Sequence, residues 1–148
     1  MDSAELMDGY VCRLAPITGR FPPDSTKPLP HNFALSNQER AYAKATNTEP
    51  RLSVWDEDRT TLDQAKAIYA RECIGFSLNV ADIRRVSVPG SDKKLRVVRD
   101  DSLPPDKTDW PGADGHCGIV GVHRPPGAPK AAFKNLRRTL CDLAVVRG

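Results

Sequence analysis

Aromatic side chains make up only 6% of this 148-residue chain. Rings on which single-stranded bases could stack are therefore scarce, and no RNP, KH or zinc-finger pattern accompanies them. No apolar run approaches the eighteen residues of a membrane span, so no membrane partner is expected. The opening ten residues, MDSAELMDGY, carry acids where a secretory signal needs a basic and then an apolar stretch, which points to a cytoplasmic location. The four cysteines, Cys12, Cys73, Cys117 and Cys141, form no CxxC pair. That spacing argues against a zinc ribbon and a dense disulfide scaffold, leaving separate, reduced thiols. A phosphate-binding G-x-x-x-x-G-K-[ST] loop, a G-x-G-x-x-G fingerprint and a G-x-S-x-G elbow are all missing, which argues against nucleotide-driven and α/β-hydrolase chemistry.

What is present suffices for one domain. Leu, Ile, Val and Phe number 32, of which 8 fall in positions 1–50 and 24 in the remainder. A chain of this length buries about 70% of its unfolded surface and needs no metal or disulfide to fold. The first third is poor in core formers, and Pro16, Pro22, Pro23, Pro28 and Pro30 crowd into it. Residues 1–34 are accordingly expected to form an irregular, proline-rich arm, with Phe21, Leu29 and Phe33 as its anchors if it docks. Residues 35–148 would form the domain proper. Net charge is +3 but unevenly placed: positions 82–99 and 130–148 each carry +4, and positions 100–115 carry −4.

Local signals outline the elements. Ser36-Asn37-Gln38-Glu39 and Thr61-Leu62-Asp63-Gln64 are capping boxes. They predict a short helix to about Ala45, with Ala41, Tyr42 and Ala45 inward, and a second helix over 61–73, ended by Gly75. Arg51–Trp55 alternates as a half-buried strand does, and with the following helix it could begin a crossover. Val86–Val88 and Leu95–Val98 flank Pro-Gly-Ser-Asp as a hairpin would. Residues 100–115 read as a long loop, and Gly118–Val122 as a short strand. A final helix carries Phe133, Leu136, Leu140 and Leu143 on one stripe, too short for a coiled coil. The expected fold is α+β: a mixed sheet of about four strands with two or three helices on one face, preceded by the arm.

Reactive groups concentrate between Asp109 and Gly118. Asp114, His116 and Cys117 are the residue types of a thiolate nucleophile, its base and an orienting carboxylate. Neighbours in an extended segment point to opposite faces, however, so His116 does not easily reach the Cys117 sulfur. Metal binding by Asp114, His116, Cys117 and His123 meets a similar obstacle, since a straight 117–123 segment separates its ends by about 20 Å. His31, in the arm, reads as a solvent-exposed histidine. Asp56 and Asp58, with Glu57 and Asp63, are the weak metal candidates for a nuclease, but acids there also complement a helix dipole. No cofactor is expected. Lys134, Arg137 and Arg138, with Arg147, could meet nucleic acid, although the four do not share one helix face.

These features favour a small cytoplasmic protein of bacterial type acting as an accessory or regulatory subunit. It would work by protein–protein contact through Trp110, Phe21 and Phe33. The alternatives are a small hydrolase, either a Cys/His thiol enzyme or a metal-dependent nuclease, and a nucleic-acid-binding protein.

Overall fold

The computed structural model of the chain describes residues 5–100 and 102–148. Residues 1–4 and Asp101, one of the aspartates of the acidic stretch, lie outside them. Among the described residues seven strands form one antiparallel sheet: β1 (Glu5–Leu6), β2 (Tyr10–Pro16), β3 (Arg51–Asp56), β4 (Cys73–Asn79), β5 (Arg96–Arg99), β6 (His116–Val120) and β7 (Val145–Val146). Their spatial order is β1-β5-β6-β3-β2-β4-β7. Four helices join them, α1 (Asn37–Thr46), α2 (Leu62–Tyr69), the single turn α3 (Val80–Ile83) and α4 (Lys130–Leu143). The α+β class holds. The mixed sheet of about four strands, the two or three helices on one face and the wholly irregular arm do not.

Two strands account for most of the difference. β2 sits in the core-poor first third, yet it pairs along its whole length with β4 and at two positions with β3. An arginine, Arg13, interrupts its apolar run at a buried position. β4 is disguised because Cys73 continues the helical spacing of α2. The helix in fact stops at Tyr69, and Ala70 takes the left-handed conformation (φ 61°). Gly75 lies inside β4, where a Cβ would come within 2.5 Å of Leu62 Cδ1 on α2. Its role is close packing of helix on sheet.

Pairing register sorts the side chains onto two faces. Val11, Val54, Leu78, Cys117 and Ile119 bury themselves beneath Phe133, Leu136 and Leu140 of α4 and Val80 and Ile83 of α3. Phe33 (0% exposed) joins this cluster, and Phe21 (1%) packs with Ala15, Ile74 and Phe76 in a neighbouring one. Cys12, Leu14 and Trp55 face the other way and pack against Ala65 and Ile68 of α2 and Ala113 of the acidic loop. Helices therefore cover both faces, because β3 and β4 flank β2 and α2 crosses behind it. The hairpin forms only in part. Ser87 bridges Lys94, while Arg96–Arg99 pairs with β6 and β1 instead. Both capping boxes form as expected. On α1, however, the buried residue is Ala43, and Ala41, Tyr42 and Ala45 are exposed.

Arg13 explains how the proline-rich segment is held. β2 and β3 pair only at Val11–Asp56 and Cys12–Trp55 before diverging, which leaves Ser53 without a β2 partner. Arg13 fills the gap, donating from Nε to the Asn32 carbonyl (2.9 Å) and from Nη1 to the Ser53 carbonyl (2.9 Å) and Glu39 Oε2 (3.0 Å). Glu39 accepts in turn from the Ser53 amide (2.6 Å) and the Ser36 amide (2.6 Å). Burial pushes the Glu39 carboxyl up, but Arg13 and the two amides outweigh it and hold the group below its ordinary 4.5.

Glu39→Gln leaves a buried guanidinium without its anion and is expected to cost about 3 kcal/mol at neutral pH, read by urea unfolding. Because the folded carboxyl titrates below the unfolded one, its contribution is complete above about pH 4.5 and fades as pH falls through the folded value. The gap between wild type and variant should therefore narrow in acid.

Candidate functional site

The acidic loop is a built structure. From residue 102 onward it is built of turns, with 3-10 segments at Pro105–Lys107 and Ala113–Gly115. Thr60 Oγ1 donates to the Gly112 carbonyl (2.6 Å), and Lys107 Nζ to the Ile68 carbonyl (2.7 Å). Within the loop, the Trp110 amide donates to the Lys107 carbonyl and the Ala113 amide to the Trp110 carbonyl. Gly112 has φ +84°, and a Cβ there would lie 2.6 Å from Gln64 Oε1, so the turn requires glycine.

Between this loop and the sheet end opens a cleft of about 420 Å³ lined by Arg99, Asp100, Leu103, Thr108, Ala113, Asp114 and His116. His116 is buried, its ring 4.7 Å from that of Trp55 and its Nδ1 3.1 Å from the Asp100 carbonyl. Arg99 Nη2 donates to Asp56 Oδ2 at 2.9 Å. Its Nη1 is buried without a hydrogen-bond partner among the described residues. Trp110 stands on the same loop, 39% exposed, with the Lys107 ammonium 5.2 Å from its ring centroid.

The three candidates do not form a triad, as the opposed directions of neighbouring strand residues imply. Asp114 and His116 share the cleft, but Cys117 points through the sheet to the opposite face and is 0% exposed. Burial pushes its thiol up to about 11, against a downward pull from Arg99 and with a further push from Asp56. Cys12 is likewise raised to about 12 and Cys141 to about 11, burial leading in both. Among the described residues no three His, Cys, Asp or Glu side chains are grouped to hold a metal ion. His123 follows β6 half-buried, and His31 is exposed in the 3-10 turn Pro30–Phe33.

Of the acids around the end of β3, Asp56 and Glu57 are engaged in ion pairs, while Asp58 and Asp63 are exposed. Asp56 holds Arg99 and accepts the Asp58 amide, and Glu57 accepts from Ser77 (2.6 Å) and meets Arg147 (3.0 Å). Of the four acids only Asp63 lies in the first turn of α2, so the helix-dipole explanation covers that one. Phe21 and Phe33 anchor the N-terminal segment to the chain's own core and are closed to a partner. Arg99 and Thr60 escaped the sequence reading, since their partners lie 43 and 52 positions away and no local pattern marks them.

None of the protein-family models, curated proteins or solved structures compared with the chain matches it. No helix among the described residues is long and apolar enough to cross a membrane.

A thiol raised from 9.0 to about 11 holds about 100-fold less thiolate near pH 8. Native Cys117 should therefore react with iodoacetamide about 100-fold more slowly than the same residue in urea. Mass-spectrometric peptide mapping would read the difference, and equal rates would return Cys117 as a nucleophile.

Proposed function

We propose that this chain is a non-catalytic binding protein whose acidic loop receives a partner protein. The observation that carries the reading is Trp110: an exposed ring fixed on a hydrogen-bonded loop beside a cleft. Aromatic anchors held in place lose little conformational freedom on binding and dominate interface energetics. The chemistry of the surroundings narrows the partner. Asp106, Asp109 and Asp114 are exposed on the loop against the single cation Lys107, which already lies over the Trp110 ring. A partner segment bearing Lys or Arg beside an apolar residue would meet both the carboxylates and the indole. An accessory or regulatory role follows from such a surface.

The thiol-enzyme alternative is disfavoured by the geometry of Cys117, and the nuclease alternative by the engagement of Asp56. Trp110→Ala tests the favoured reading, because the side chain is exposed and its loss should leave the melting temperature within a few degrees. Partners cross-linked to wild type through the loop are identified by mass spectrometry, then titrated as purified proteins. The expected loss is about 2 kcal/mol or more, about 30-fold in Kd. An unchanged Kd for every such partner would remove Trp110 from the interface and the reading with it.

A further inference from the structure

The outward side of α4 is occupied by nothing else in the described molecule. At about 100° per residue, Lys130, Lys134, Arg137 and Arg138 fall within an arc of about 100°. Arg147, which would break the grouping, lies beyond the helix and pairs with Glu57. The four cations named from sequence do not share a face, because Arg147 leaves the helix, but the three that remain on it share one with Lys130. Lys130, Lys134 and Arg138 are exposed and Arg137 is half-buried. None of them forms an ion pair among the described residues, whereas Arg13, Arg51, Arg84, Arg85, Arg96, Arg99 and Arg147 all do. The helix has one acid, Asp142, in its last turn.

We propose that this face of α4 docks on the phosphate backbone of duplex nucleic acid without reading bases. Charge complementarity supplies the attraction, and two further observations choose among polyanions. No large apolar side chain is exposed on α4, so it lacks the anchor a protein interface buries and the apolar face an interfacial membrane helix inserts. The exposed aromatics Tyr10, Tyr42 and Trp110 all lie off this helix, which removes the stacking platform a single strand uses. The acidic loop packs on the opposite face of the sheet from α4. Both surfaces face solvent on opposite sides of the sheet, where salt screens exposed charges from one another beyond about 8 Å.

Four phosphate contacts give a slope of log K against log salt of about −3 to −4. The test is fluorescence anisotropy with a labelled DNA duplex of about 20 base pairs, titrated between about 50 and 200 mM salt. Wild type should bind at the low end and lose about 100-fold across the range. The variant carrying Lys134→Ala, Arg137→Gln and Arg138→Ala should bind about tenfold or more weakly, with the slope reduced by about 3. A control carrying Arg40→Ala and Lys44→Ala, exposed on α1, removes charge elsewhere and should stay within about threefold of wild type. Trp110→Ala should leave duplex binding unchanged, which separates this proposal from the partner-protein reading. The proposal is overturned by no binding at low salt or by equal loss in the α1 control. Tighter binding to anionic vesicles or an acidic peptide than to the duplex would overturn it as well.

Discussion

The buried pair of Arg13 and Glu39 is the constraint around which the fold is arranged. Two strands that separate after two paired positions expose backbone groups in the interior, and an unpaired buried amide or carbonyl costs about 1–3 kcal/mol. Here Ser53 would lose both its amide and its carbonyl partner. The guanidinium takes the carbonyl, the carboxylate takes the amide, and the charges neutralise one another. The remaining capacity reaches the Asn32 carbonyl and the Ser36 amide, which ties the proline-rich segment and the start of α1 to the sheet. An apolar pair of the same volume could fill the gap but could not satisfy those backbone groups. The polar solution is thus forced by the splay of β2 from β3.

The same pair shows where sequence reading succeeds and where it stops. Both capping boxes, the amphipathic α4 and the alternation of β3 depend on neighbours within four residues, and all are legible. β2 is illegible because one of its buried residues is an arginine whose acceptors lie 19, 26 and 40 positions on. A buried charge looks like a surface charge until its partners are known. β4 fails for a different reason: Cys73 fits the helical period, and Gly75 resembles a terminator when its function is to admit Leu62. The site divides in the same way. The opposed directions of His116 and Cys117 follow from strand geometry alone. The Arg99–Asp56 pair and the Thr60 tie need the fold; Phe21 and Phe33 are legible as anchors of the segment, but only the fold shows that they anchor it to the chain's own core.

Segregated charge in the sequence becomes segregated surface in the fold. Leu103 and Ala113 of the acidic loop pack with α2 behind the sheet, and α4 covers the front. Cations in the middle of the chain are largely neutralised in place: Arg84 and Arg96 meet Glu5, Arg85 meets Asp82 and Arg99 meets Asp56. That leaves α4 as a helix of uncompensated cations, even though the chain carries a net charge of only +3. Net charge is a weak guide because it does not say where the charges lie; an unpaired set gathered on one face sets the local field.

The two proposed surfaces differ in the physics they would use. The loop is rigid by construction, tied to Gly112 and Ile68 carbonyls at distant points, so an occupant would forfeit little loop entropy. Its indole offers short-range contact, insensitive to salt. The α4 side chains are long and unpaired and lose rotamer freedom on ordering, and they act through a field that salt erodes. A protein carrying both on opposite faces of one sheet could hold two unlike partners at once without either obstructing the other. The sheet between them is antiparallel and closed on both faces by packed side chains, so coupling between the surfaces would need a second packing of the β3–β6 core, where Leu52, Val54, Cys117 and Ile119 are all 0% exposed. A core without slack of that kind favours independent binding over allosteric exchange.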